Sequence, residues 1–175
     1  MEEYALSGSR VLVVEAQGCF CAVPLVHVVE VMRPLPIAAI AGAPLFVCGI
    51  SIIRGVPTPV VELGMLFRTH KDSPLVSIAA RFVTLRLGER QAALSVDAVC
   101  GVRELEAPAI RELPPLLQGA SNDFIEALAL LDAQMLVILK SGWRLPEALW
   151  ESLAGSTLPQ VPPREIASGE ISERT

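Results

Sequence analysis

Histidine, aromatic residues and positive charge are all scarce in this chain, and each scarcity removes a class of function. The 175 residues include two histidines, two tryptophans, one tyrosine and five phenylalanines, with 14 basic against 19 acidic side chains and a net charge of −5. Nucleic-acid binders carry a basic footprint, so nucleic acid is not an expected partner. Two histidines leave little from which to assemble a general base or a histidine-ligated metal site. Charged residues make up 19% of the chain and hydrophobic ones 52%, which excludes an intrinsically disordered protein. What is present is enough apolar side chain for one autonomous core. At this length a folded chain buries roughly 70% of its extended surface without metal or disulfide staples.

The four cysteines stand at 19, 21, 48 and 100. Cys19 and Cys21 are separated by one residue, closer than in common zinc sites, and no second ligand pair follows. On a strand the two thiols share a face. They read as buried free thiols, with no metal and no other cofactor expected; Cys21, Cys48 and Cys100 remain open as inert or redox-active groups. The twenty residues from Pro34 to Ile53 lack any charge, long enough to cross a bilayer. However, Pro34, Pro36, Gly42, Pro44 and Gly49 interrupt them, and lipid cannot replace the hydrogen bonds a broken helix loses. No direct membrane insertion is expected. The start, Met1-Glu2-Glu3-Tyr4, is acidic where a secretory signal is basic, so a cytoplasmic protein is expected.

The chain reads as short strands. Arg10 to Gln17 and Cys19 to Val23 flank the turn residue Gly18; Ile37 to Ile40, Ile50 to Ile53 and Val56 to Val61 follow. Val26 to Met32 fits a helical turn or a strand equally well, and Leu63 to Phe67 reads as a short helix. After a polar break at His70 to Pro74, Arg81 to Leu87 alternates, with Val83, Leu85 and Leu87 on one face, and Gln91 to Val99 returns it. Arg103 to Pro115 reads as a connector, Met135 to Leu139 as a buried strand and Pro146 to Leu153 as a helix with proline at its first turn. Residues 1–9 and 154–175 read as tails, around a domain at 10–153 whose halves meet near residue 80. Arg10 to Val31 lies on Arg81 to Val102 without a gap at an offset of 71 residues, an echo that suggests a pair of small barrels.

Motifs for catalysis are absent: no P-loop, dinucleotide fingerprint or paired-histidine zinc motif occurs. Gly49-Ile-Ser-Ile-Ile-Arg-Gly55 misses the nucleophile elbow, because Ile53 takes the second glycine's place. His27 sits among Leu25, Val26, Val28 and Val29, a setting for a structural histidine. A cryptic enzyme survives only as the weaker alternative, since triads assemble in space. Arg54 is the odd feature, with no acidic residue in the five positions before it. It either pairs across the fold, with Glu62 or Asp97, or is presented at a turn to dock a partner, with Gly55 allowing positive φ.

An ordered series of motifs carries a family resemblance. Val28-Val-Glu-Val31, Ala43-Pro44, Gly49 to Gly55, Pro59-Val-Val-Glu-Leu63, Leu94-Ser-Val-Asp97-Ala-Val99, Phe124-Ile125 and Asp132 to Leu139 resemble CheW-like adaptors of bacterial chemosensory systems, over about residues 10–140. Ile52 for asparagine, Glu62 for aspartate, Ala127 for glycine and Lys140 for an acidic residue depart from the family's pattern. The resemblance implies a mainly all-β fold: two packed five-stranded SH3-like β-barrels with a few short helices. It implies a non-catalytic role, coupling the cytoplasmic tips of chemoreceptors to a CheA-type histidine kinase through the kinase's regulatory domain, at membrane-associated arrays. Carried over by position, the partner-binding candidates are Val28, Glu30, Val31, Arg54, Gly55, Val96 and Asp97, with Gly49 supporting a turn. Val28, Val31 and Val96 each have a rival explanation as core residues. Ile52 and Lys140 favour the alternative of a divergent paralogue that competes for the same surfaces or serves a non-motility pathway.

Overall fold

The computed structural model describes residues 8–66, 80–106, 109–111, 124–140 and 144–155. Among these residues eleven strands form two sheets: β1 (Ser9–Ala16), β2 (Cys19–Pro24), β3 (Val28–Met32), β4 (Val47–Ile53), β5 (Val56–Glu62), β6 (Arg81–Leu87), β7 (Arg90–Val96), β8 (Ala98–Leu105), β9 (Ile110–Arg111), β10 (Ile125–Leu131) and β11 (Gln134–Leu139). One sheet runs β8-β1-β2-β11-β10-β9 and the other β3-β6-β7-β5-β4. Two 3₁₀ turns (Leu25–His27 and Leu63–Leu66) and helix α1 (Glu147–Gly155) complete the described structure. No helix among the described residues is long and apolar enough to cross a membrane.

Both sheets curl until their ends meet. In the first, the end strands β8 and β9 are joined by only four residues, 106–109. In the second, the chain leaving β3 reaches across to β4, where Ala38 exchanges two 2.8 Å hydrogen bonds with Ile50. This closure gives the two barrels of the expected mainly-β fold and removes open edges that invite aggregation. One apolar cluster, with Val11, Ala22, Ala129 and Ile138, fills the first barrel, and a smaller one, with Ile53, Val60, Phe82 and Ala93, fills the second. The largest cluster lies between the sheets. There Leu12, Val14 and Val23 meet Val61, Val83, Leu85 and Leu94, sealed by Leu145 and by Leu149 of α1. The run Val11–Val14 is apolar throughout because its alternate residues serve two different cores.

The 71-residue echo is a structural repeat with exchanged strands. In the first hairpin Val11 stands opposite Pro24 and Val13 opposite Ala22; 71 residues on, Phe82 stands opposite Ser95 and Thr84 opposite Ala93. Each hairpin's third strand crosses to the other barrel: Val31 of β3 lies opposite Val83, and Val102 of β8 opposite Leu12. The bulges repeat too, between Val28 and Glu30 and between Val99 and Gly101. The hairpins β4–β5 and β10–β11 share a register 78 residues apart, with Ile50 opposite Pro59 and Leu128 opposite Val137. Phe46 and Phe124, each preceding its hairpin, meet edge-on with ring centroids 5.5 Å apart.

Several expectations need correction. Ile37 to Ile40 is not a strand; only Ala38 pairs, as an isolated bridge. The ambiguous Val26 to Met32 divides into a 3₁₀ turn and β3. Gln91 to Val99 breaks at Asp97 into β7 and β8, and part of the connector at Arg103 to Pro115 is ordered as the end of β8 and as β9. Strand β10 went unread. The tails expected at 1–9 and 154–175 are shorter, since Ser9 already belongs to β1 and Ala154 and Gly155 to α1; the break at His70 to Pro74 and residues 1–7 and 156–175 lie outside the described residues.

Candidate functional site

Arg54 and Gly55 are the two central residues of the β4–β5 turn, both with positive φ, 50° and 79°. A two-residue hairpin needs this mirror-image turn because its twist matches that of the flanking strands. Gly55 adopts it without steric cost, whereas Arg54 is held there against a residue's usual preference. The turn lifts the guanidinium into solvent, with 78% of the side chain exposed. Yet it is fixed: Arg54 Nε donates to Glu30 Oε1 at 2.8 Å and Nη2 to Glu30 Oε2 at 2.7 Å. The fork holds the Glu30 carboxyl below its ordinary range. Arg54 therefore pairs with neither Glu62 nor Asp97. Its partner is another of the candidates, on the opposite end strand of the same sheet.

Apolar side chains lie exposed on the strands that carry this pair: Val29 and Val31 on β3, Ile52 on β4 and Val56 on β5, with Ile37 on the closing segment. Val31 is 41% exposed, so a surface residue rather than core. Val28 is half-buried against the cluster between the sheets. Val29, Val56 and Ile37 were missed by sequence reasoning, because alternation alone does not show which face of an edge strand meets water.

The remaining candidates sit elsewhere. Val96 is 1% exposed and packs into the cluster between the sheets, so it presents no surface to a partner. Asp97 binds within the chain: its Oδ2 accepts from Gln17 N–H at 2.6 Å, and its own N–H donates to the Glu15 carbonyl at 2.8 Å. It thereby ties the β7–β8 bend to the β1–β2 turn. Strand β5, roughly 20 Å long at about 3.3 Å per residue, runs between Arg54 at one end and Glu62, beside Asp97, at the other. Gly49 supports no turn. It lies in the β4 bulge at φ 143°, where a Cβ would overlap the Ala38 carbonyl, so its absence of side chain lets the closing segment approach. Cys21 is buried, which pushes its thiol up to about 12 and leaves it protonated at neutral pH. Among the described residues, no group of three or more histidine, cysteine, aspartate or glutamate side chains is arranged to hold a metal ion.

The chain is thus a pair of strand-exchanged β-barrels that carries an exposed Arg54–Glu30 pair and exposed apolar side chains on the same strands. The CheW-like domain model matches residues 10–142, and the chain belongs to that family. It is 25% identical over 121 residues to the chemotaxis protein CheW of Klebsiella aerogenes, covering 67% of this chain and 69% of that protein. Among solved structures, the scaffolding protein TtCheW from Thermoanaerobacter tengcongensis superposes with a TM-score of 0.66 at 27% identity, covering 76% of this chain and 89% of that one.

Proposed function

We propose that this protein is a non-catalytic chemosensory adaptor that joins chemoreceptor tips to the regulatory domain of a CheA-type histidine kinase. Family membership and the relatives' description as a chemotaxis and a scaffolding protein support the role. The observation that carries the site is Arg54, exposed yet immobilised by a two-point fork to Glu30 among exposed apolar side chains. A surface ion pair adds little net stability. A pre-ordered arginine on an apolar edge is what an interface anchor requires, because less side-chain freedom is lost on docking. The receptor hairpin is assigned to a second surface, near the junction of the barrels. The protein works in the cytoplasm and is recruited to membrane-associated arrays by these contacts.

The test is calorimetric titration of the kinase regulatory domain from the same genome with wild-type protein and Arg54→Glu. Saturable binding with Kd on the order of micromolar, weakened at least tenfold (about 1.4 kcal/mol) in a variant of wild-type thermal stability, supports the reading. Equal affinity of the two proteins refutes the site.

A second reading is favoured by Ile52, exposed just before Arg54 where the family pattern has asparagine. An apolar side chain there alters partner preference and suits a paralogue that occupies the kinase surface without activating it. Reconstituted with receptor and kinase, an activating adaptor raises kinase turnover, whereas a competitor lowers the activity supported by a conventional adaptor.

A further inference from the structure

The two barrels share register and bulges but differ at several equivalent side chains, and the differences show which groups serve the fold and which serve the site. Glu30 corresponds to Gly101, Arg54 to Asp132 and Thr84 to Val13. Thr84 is fully buried, and its hydroxyl bonds both main-chain groups of the residue opposite: Oγ1 accepts from Glu30 N–H at 3.2 Å and donates to the Glu30 carbonyl at 3.3 Å. A buried hydroxyl costs free energy unless satisfied, so its place opposite Glu30 needs a reason. The barrel does not supply one. At the corresponding position Val13, a side chain of the same shape without the hydroxyl, supports the same pairing and the same bulge.

We propose that Thr84 is a positioning residue for the docking surface: its buried hydroxyl clamps the Glu30 backbone at the bulge so that the Glu30 carboxylate holds the exposed Arg54 guanidinium ready for a partner. A bulge re-aims the side chain beside it. Here the re-aimed residue is Glu30, which must reach from β3, at one end of the sheet order, to the hairpin tip of β4, at the other. Without the clamp Glu30 is held by strand pairing alone, and Arg54 regains its rotamers. The proposal deepens the adaptor reading and rests on Arg54 as the anchor, but the clamp itself is measurable without any partner.

The experiment compares wild type, Thr84→Val and Thr84→Ser for thermal stability, Glu30 amide exchange and Glu30 carboxylate titration by NMR, and affinity for the kinase regulatory domain. Thr84→Val is expected to fold, to speed Glu30 amide exchange, to return the Glu30 carboxylate toward its ordinary titration range, and to bind the kinase domain about three- to tenfold more weakly, as expected for re-ordering one long side chain. Thr84→Ser, which keeps the hydroxyl, is expected to restore all three. In an Arg54→Ala background the Thr84→Val effect on affinity should vanish. A valine variant that does not fold overturns the proposal, because the hydroxyl would then serve the barrel. A valine variant with wild-type Glu30 exchange and titration overturns it as well. If wild type binds no kinase domain while Thr84→Val still frees Glu30, the clamp stands and the adaptor reading falls separately.

Discussion

Gly49 shows how much a single absent methyl group decides. It sits at φ 143° in the β4 bulge, and an added Cβ would overlap the Ala38 carbonyl and come within 2.8 Å of Ile37 Cγ2. That carbonyl accepts the Ile50 N–H across the seam that closes the second barrel. A Gly49→Ala chain must therefore push the closing segment away or distort β4, a penalty of roughly 2–4 kcal/mol from overpacking and backbone strain. Urea denaturation should show it as a lowered midpoint with an unchanged slope. Ala127 occupies the corresponding bulge of the first barrel, between Ile125 and Ala127, and is fully buried. Ala127→Gly is the control, expected to cost only about 1 kcal/mol, mainly through chain entropy. Similar losses at the two sites would mean that closure does not depend on the close approach at Gly49.

Between elements, the joint where β5, β7 and β8 meet the β1–β2 turn is polar and partly buried. Burial, followed by the nearby Asp97 charge, raises the Glu62 carboxyl above its ordinary range, against opposing hydrogen bonds from Ser95 and the Gly64 backbone. The folded state thus binds this proton more tightly than the unfolded chain, and Glu62's contribution to stability falls as pH rises from the ordinary carboxylate range through its elevated value. Glu62→Gln should raise the urea midpoint at neutral pH and lose that advantage in acid, where wild-type Glu62 is also neutral. A glutamine variant less stable at neutral pH would show that the hydrogen bonds outweigh burial. Such joints were illegible in the sequence because they bring together Gln17, Glu62 and Asp97 from distant segments, whereas β1, β2 and β5 were legible as β-rich runs beside turn residues and β6 from its alternation. Arg54 and Gly55 stood out as a turn, but Glu30 as the arginine's partner did not, since only barrel closure brings the end strands together. Strand β10 hid because Ile125 to Leu131 is apolar at nearly every position, with no period to separate strand from helix. Val96 misled for the opposite reason: it borders Asp97, where β7 ends, yet points into the core.

At the scale of the whole molecule, the exchanged third strands interlock the two sequence halves, and the apolar cluster between the sheets makes the two barrels one folding unit. The second barrel takes β3, β4 and β5 from before residue 67 and β6 and β7 from after residue 79; the first takes β1 and β2 from before and β8 to β11 from after. A cut between residues 66 and 80 leaves neither barrel complete, although the sequence echo invites division there. The largest apolar cluster also lies between the sheets, and Leu145 and Leu149, beyond the last strand, pack into it. Unfolding either barrel alone would expose that cluster. The expectation is a single cooperative transition, with the calorimetric and van't Hoff enthalpies equal. Native-state hydrogen exchange gives the sharper test. The Val13 amide in the first barrel and the Val83 amide in the second should exchange with the same free energy, equal to that of global unfolding, despite lying in different sheets. Two calorimetric steps, or one of these amides exchanging well below the global value, would show that the barrels open independently and that the shared apolar cluster does not bind them into one unit.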